Sequence, residues 1–372
     1  MAIFDSISET HRALTDVGYI TDEATAGTVF FCAAQKRPLL IEGPAGAGKT
    51  QLALSVAKAG NMPFIRLQCY QGLTKHQAIG AFSEPLQKLF SDRTDRLAID
   101  SRSEKMRPFE DLALEMNRRP FFNGGPLLEA LESEIPAVLL IDEIDKTDYA
   151  FEALLLQMLE TWEISVTQLG LVQAKTIPFV VITSNAERPL GFALRRRCNF
   201  TEVEHPTPER EAEIVALKTP HCDPAMHRFI AGLAVAFRNE RFEKPPSISE
   251  MNSVAMALET LGLTEIRPDQ KMLFLPLLAK TSKDRQRLIN STGTFEQLLE
   301  EAKVYAAAMT DPQVGQLSRG DTDSEQLPAF TEELIARDPE DICLPEDTIP
   351  SDISIAAMNE QYRLAQSGAA LV

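Results

Sequence analysis

Residues 43–50 read Gly43-Pro44-Ala45-Gly46-Ala47-Gly48-Lys49-Thr50, and Gln51 follows. Three glycines let backbone N–H groups turn inward around a phosphate, and the helix expected next adds its positive N-terminal end. A lysine at the end of such a loop reaches outer phosphates, and the adjacent hydroxyl suits Mg²⁺. The pattern is therefore read as a nucleotide-phosphate loop, with Lys49 on the phosphates and Thr50 on the metal.

A second acidic pair completes that chemistry. Asp142 and Glu143 follow the apolar run Val138–Ile141, where a buried strand would deliver them to its carboxyl end. Asp142 suits the metal ion, and Glu143 is placed to orient and polarise an attacking water. A second carboxylate argues for hydrolysis over phosphoryl transfer to a bound metabolite. Asn185 closes a third apolar run, Phe179–Thr183, and would help position the water. Arg195, Arg196 and Arg197 form a cluster ten residues on. Alone it reads as a surface patch. In company with the other elements it suggests an arginine finger for a neighbouring subunit's nucleotide, an effect worth about 10³–10⁵ in rate.

The elements that must carry these residues are legible in outline. Short apolar runs at 38–41, 136–141 and 177–183 alternate with helical patterns, which predicts a parallel sheet covered on both faces. Residues 1–35 read as helical, and 148–160 as a helix with an apolar stripe. After His205-Pro206 the pattern becomes purely helical. Ser247 with Glu250 forms a capping box, and Gly262 suits a helix end. The expected organisation is an α/β nucleotide-binding domain over 1–205, a helical lid domain over 206–309, and an acidic, loosely ordered tail over 310–372 with a short helix near 352–366.

Composition narrows the partners. The chain has 372 residues, 44% of them hydrophobic, and a formal net charge of −17. From Asp311 onward thirteen acids face three bases, which gives that stretch −10. Such acidity disfavours nucleic acid, whose phosphates require clustered Lys and Arg. Five scattered cysteines without a CxxC pair indicate reduced thiols and a cytoplasmic setting. The opening residues MAIFDSISETHRAL lack a basic-then-apolar order and are not expected to be a secretory leader. No apolar run is long enough to span a membrane. His221, Cys222 and His227 have ligand-like spacing but read as incidental residues of a loop and helix start.

The order of these elements resembles the AAA+ ATPases. Within them the chain resembles the MoxR group, and most closely its CoxD-like branch, associated with carbon monoxide dehydrogenase maturation. The motifs are GPAGAGKT (43–50), RLQCYQG (66–72), LLIDEIDKTDYAFEALLLQMLE (139–160), VVITSNAERPLGFALRRRC (180–198) and KPPSISEMN (244–252), and the resemblance covers about 25–262. It implies a P-loop AAA+ core with a helical lid, ATP and Mg²⁺ as cofactors, and a homo-oligomeric ring, expected to be a hexamer. Lys49 and Thr50 take the Walker A roles, Asp142 and Glu143 the Walker B roles, and Asn185 that of sensor 1. Arg197 is the implied finger, with Arg196 second. Residues 161–178 match the pre-sensor-1 hairpin and 72–125 the helix-2 insert. A von Willebrand factor A domain protein and a client metalloenzyme are the implied partners. The lid arginine common in MoxR proteins is absent from EKPPSISE, where Lys244 is the nearby cation. Two other readings stand beside a remodelling ATPase: a nucleic-acid-stimulated translocase and a low-turnover nucleotide-dependent scaffold.

Overall fold

The computed structural model describes residues 5–100, 109–291 and 293–310, with the backbone alone for 94–100 and 109–111. The tail after Thr310, with its expected short helix and Cys343, lies outside the described residues.

Two helices open the chain, α1 (Ile7–Asp16) and α2 (Glu23–Gln35), capped by the side chains of Ser6 and Asp22. Strand β1 (Leu39–Glu42) leads through the glycine loop into α3 (Lys49–Ala59). Next come β2 (Phe64–Gln68), α4 (Lys75–Ile79), β3 (Gly80–Phe82), α5 (Glu84–Asp100), α6 (Phe109–Met116), β4 (Phe122–Gly124) and α7 (Pro126–Glu132). Strands β3 and β4 form an antiparallel pair of their own. Strand β5 (Val138–Asp142) precedes α8 (Tyr149–Thr161), whose first turn is capped by Asp148. An antiparallel hairpin, β6 (Glu163–Val166) and β7 (Gly170–Gln173), leads to β8 (Phe179–Ser184), α9 (Phe192–Arg197) and β9 (Asn199–Glu202).

Five strands form one parallel sheet in the order β2-β5-β8-β1-β9. The α/β fold with a parallel sheet expected from the alternating apolar runs is the fold observed. The central strands β1, β5 and β8 are buried along their whole length, as strands covered on both faces must be. One face packs against α7 and α8 through Leu127, Leu131, Leu155 and Met158. The other packs against α1–α3 through Leu14, Val29, Leu52 and Val56.

The helical region runs α10 (Pro208–Lys218), α11 (Pro224–Asn239), α12 (Ile248–Leu261), α13 (Lys271–Leu278), α14 (Ser282–Asn290) and α15 (Thr294–Ala308). Its core is separate, built from Phe229, Phe237, Leu258, Phe274 and Phe295 among others. Among the described residues no helix is long and apolar enough to cross a membrane.

Candidate functional site

Register decides where the polar residues meet. Gln68 pairs with Asp142, Ile141 with Ile182, and Glu42 with Ser184. The carboxyl ends of β1, β2, β5 and β8 are therefore level, and the residues just beyond them share one crevice, the usual ligand side of an open parallel sheet.

The glycine loop leaves β1 at that edge. Gly43 and Gly46 both have positive φ, 154° and 81°. A Cβ on Gly43 would lie 2.0 Å from the Val203 carbonyl oxygen, and one on Gly46 would lie 2.5 Å from Cβ of Ser247. No side chain fits at either place. The second contact also sets the loop directly against the N-cap of α12, the first point where the helical region touches the site.

Lys49 opens α3 and is buried. Its Nζ donates to the carbonyl oxygens of Gly43 (2.6 Å) and Pro44 (2.9 Å) and to Oδ1 of Asn185 (2.7 Å). Burial pulls its pKa below the usual lysine value, while Asp145, Asp142 and Glu143 act in the opposite direction. An ammonium among neutral carbonyl oxygens, facing three carboxylates, is suited to receive phosphate oxygens.

Thr183 on β8 organises the acids. Its hydroxyl donates to Oδ1 of Asp142 (2.6 Å) and accepts from the Glu143 amide (2.9 Å). Thr50 Oγ1 lies 3.2 and 3.4 Å from the two Asp142 oxygens. Glu143 sits at φ 59°, which turns the chain out of the strand. Its carboxylate accepts from Gln68 Nε2 at 3.1 Å and Asn185 Nδ2 at 3.5 Å. Lys49, Thr50, Asp142, Glu143 and Asn185 are thus one connected network.

Two residues that the sequence reading did not single out belong to it. Asp145 is buried, and its Oδ2 accepts from the amides of Asn185 (3.2 Å) and Glu187 (3.1 Å). It fixes the loop that carries the amide of Asn185. Arg66 on β2 lies 2.6 Å from Asp142 Oδ2. One signal was present: a third acid, three residues after Asp142. Cys69 is buried beside the same acids. Burial first, and then the carboxylates of Asp142, Asp145 and Glu143, push its thiol up to about 12, so it behaves as a packing residue rather than a nucleophile.

The three arginines differ. Arg195 pairs with Glu42 and lies over the ring of Phe200. Arg197 pairs with Glu160 at 2.9 Å. Arg196 is exposed, near Phe192 one turn earlier, which is 83% exposed. No hydrogen bond among the described residues joins Arg196 or Arg197 to Lys49, Asp142, Glu143 or Asn185. Buried Glu152 on α8 holds the start of α9 by accepting from the Gly191 amide at 2.9 Å.

A cavity of about 800 Å³ continues from the glycine loop. Gly46–Gly48 and Gln51 line one end, Tyr19 and Ile20 another, and His205, Arg210, Ile248 and Ser249 the side of the helical region. Arg210 ties the two parts, donating to the Ile20 carbonyl oxygen (2.6 Å) and, at 3.4 Å, to Asp22. Lys244 is exposed and is not among the residues that line this cavity; its amide is held by Asp284 Oδ2 at 3.0 Å. His227 is likewise a structural residue, its Nε2 2.9 Å from the Thr219 carbonyl oxygen.

The residues present fit a nucleotide triphosphate with a divalent cation. Lys49 offers charge beside the glycine loop, and Thr50 and Asp142 offer hard oxygen ligands. A bound cation would supply Lewis-acid stabilisation of phosphate charge.

Residues 35–190 match the family model described as AAA domain (Cdc48 subfamily). A similar solved structure is that of the Thermotoga maritima RuvB Holliday junction branch migration motor. It has 16% sequence identity, covers 82% of this chain and 87% of that chain, and has a TM-score of 0.39. The glycine loop, Asp142, Glu143 and Asn185 all fall within these matched residues, which are similar to an AAA domain.

Proposed function

We propose that the chain is a ring-forming AAA+ ATPase of the MoxR type, closest to the CoxD-like branch, which remodels or matures a partner protein. In this reading the client is a metalloenzyme, brought by an adaptor with a von Willebrand factor A domain, and the ring is a hexamer in the cytoplasm. The motifs RLQCYQG (66–72) and DEIDKTDYAFEALLLQ (142–157) support the branch. The loop Gly43–Gln51 holds ATP, Lys49 its outer phosphates, and Thr50 with Asp142 the Mg²⁺. Glu143 orients the attacking water, with Asn185 beside it, and an arginine of α9 serves the neighbouring subunit's site.

The observation that carries the reading is the placement of two sets of residues. Glu143 is joined to Gln68 and Asn185 inside its own subunit, whereas Arg196 and Arg197 share no hydrogen bond with that network among the described residues. In this reading Lys49 and the cation supply charge within the subunit, and an arginine of another copy adds to it. Arg197 is the finger implied by the resemblance; the exposed Arg196 is the side chain freer to reach outward.

Mixing variants tests this. Glu143→Gln subunits lack the water-orienting acid but keep both arginines. Subunits with Arg196→Ala or Arg197→Ala keep the acid but lack one donor. Mixed rings regain phosphate release at interfaces that join an intact acid to an intact arginine, and the arginine variant whose inactivity is rescued in this way is the finger. Inactive variants that remain inactive at every mixing ratio, or full turnover by a strictly monomeric protein, would overturn the ring.

A further inference from the structure

Strand β2 carries an ion pair that the hydrolytic roles leave unused. Arg66 and Gln68 are two residues apart and so share a face of the strand. Both are exposed, and Leu67 between them is buried. Arg66 Nη2 contacts Asp142 Oδ2 at 2.6 Å and also donates to Gln68. The Arg66 side chain is 49% exposed, against 4% for Asp142.

The Asp142 carboxylate is thus shared out. Thr183 donates to Oδ1, Arg66 occupies Oδ2, and the Thr50 hydroxyl stands within 3.4 Å of both. A buried carboxylate without a counter-charge is strongly disfavoured, and Glu143 and Asp145 add negative charge close by. Lys49 is directed to loop carbonyls and Asn185, and among the described residues Arg66 is the cation in contact with Asp142. A divalent ion held by Thr50 and Asp142 would bring positive charge to the same carboxylate, where like charges repel. Arg66 is free to yield: it is half in solvent, and Thr183 and Thr50 still hold Asp142 in place once it has left.

We propose that Arg66 is a positioning residue that stands in for the metal ion at Asp142. Its guanidinium holds the carboxylate while no cation is bound and turns to solvent when a nucleotide brings one. This rests on the reading of the site as an ATPase. Metal binding is then a displacement, and Arg66 sets the Mg²⁺ concentration at which the loaded site forms.

The test compares wild type, Arg66→Ala and Arg66→Lys, each saturated with a non-hydrolysable ATP analogue, by following the melting temperature as MgCl₂ is raised from EDTA. The nucleotide-free proteins in EDTA are melted in parallel. Without nucleotide, Arg66→Ala melts below wild type, because Asp142 has lost its counter-charge. With the analogue, its Mg²⁺ midpoint falls by about tenfold, the scale of one charge-assisted contact. Arg66→Lys, which keeps the charge but not the forked geometry, falls between them and carries the comparison if the alanine variant does not fold. A midpoint that stays or rises in both variants makes Arg66 a mere support for Asp142 and overturns the inference. If wild type gains no stability from the analogue at any Mg²⁺ concentration, the ATPase reading of the site fails first.

Discussion

The sheet edge and the helical region bury charge in different ways. At the edge, Lys49, Arg66, Asp142, Glu143, Asp145 and Asn185 are linked through Thr183, Gln68 and backbone amides, so each group depends on several others. The helical region has a large apolar core, centred on Phe237, Phe274 and Phe295, and, among the described residues, a buried ion pair of Glu211 with Arg238. The Glu211 side chain is fully buried, and burial raises its pKa even though Arg238 opposes the shift. The contrast separates charge kept for chemistry from charge kept for packing. The first is networked; the second is a single pair, which the account expects to be exchangeable for apolar volume.

The largest expected effect lies in the helical region. Glu211→Ala leaves Arg238 buried without its partner and should lower stability by about 3–5 kcal/mol in chemical denaturation. The double variant Glu211→Leu with Arg238→Met should recover most of that loss. A double variant no better than the single would break the contrast, because the pair would then be as irreplaceable as the site network. At the sheet edge, Asp145→Ala removes the acceptor of two backbone amides. It should cost about 1–3 kcal/mol of stability yet reduce phosphate release by more than tenfold, since the Asn185 loop loses its anchor. Turnover near the wild-type rate would remove Asp145 from the positioning network.

The smallest effect concerns acid. Asp284 sits in the helical region, where burial alone would raise its pKa. The amides of Glu243 and Lys244, the Thr281 contact and Arg287 outweigh this and hold it below the usual carboxylate value. Its folded value lies under the unfolded one, so its stabilising contribution is full above the ordinary value of 3.8 and is lost as pH falls through the folded value. Asp284→Asn should therefore be less stable than wild type at neutral pH and lose less on acidification below that value. Parallel acid profiles for the two proteins would assign the anchoring to other groups.

The contrast also explains what the sequence could reveal. Strands β1, β5 and β8 are continuous apolar runs, and the residues that leave them, Lys49 and Thr50, Asp142 and Glu143, and Asn185, follow in fixed order. A parallel sheet places such residues together, so most of the network was legible from spacing. Strand β2 was not, because Arg66 and Gln68 alternate with Ile65 and Leu67 and break the apolar run. Their partners, Asp142 and Glu143, lie more than seventy residues away, and only the β2–β5 register reveals the contacts. Asp145 looked like one more acid in a charged turn; its function depends on backbone amides that no side-chain pattern marks. The contacts of the three arginines were equally hidden, since Glu42 and Glu160 divide them only in three dimensions.

The central claim is that Glu143 acts on water at a site that binds ATP without it. The direct measurement is nucleotide affinity and steady-state phosphate release for Glu143→Gln beside wild type. The account predicts ATP binding close to wild type with phosphate release reduced to background; release at the wild-type rate would contradict it.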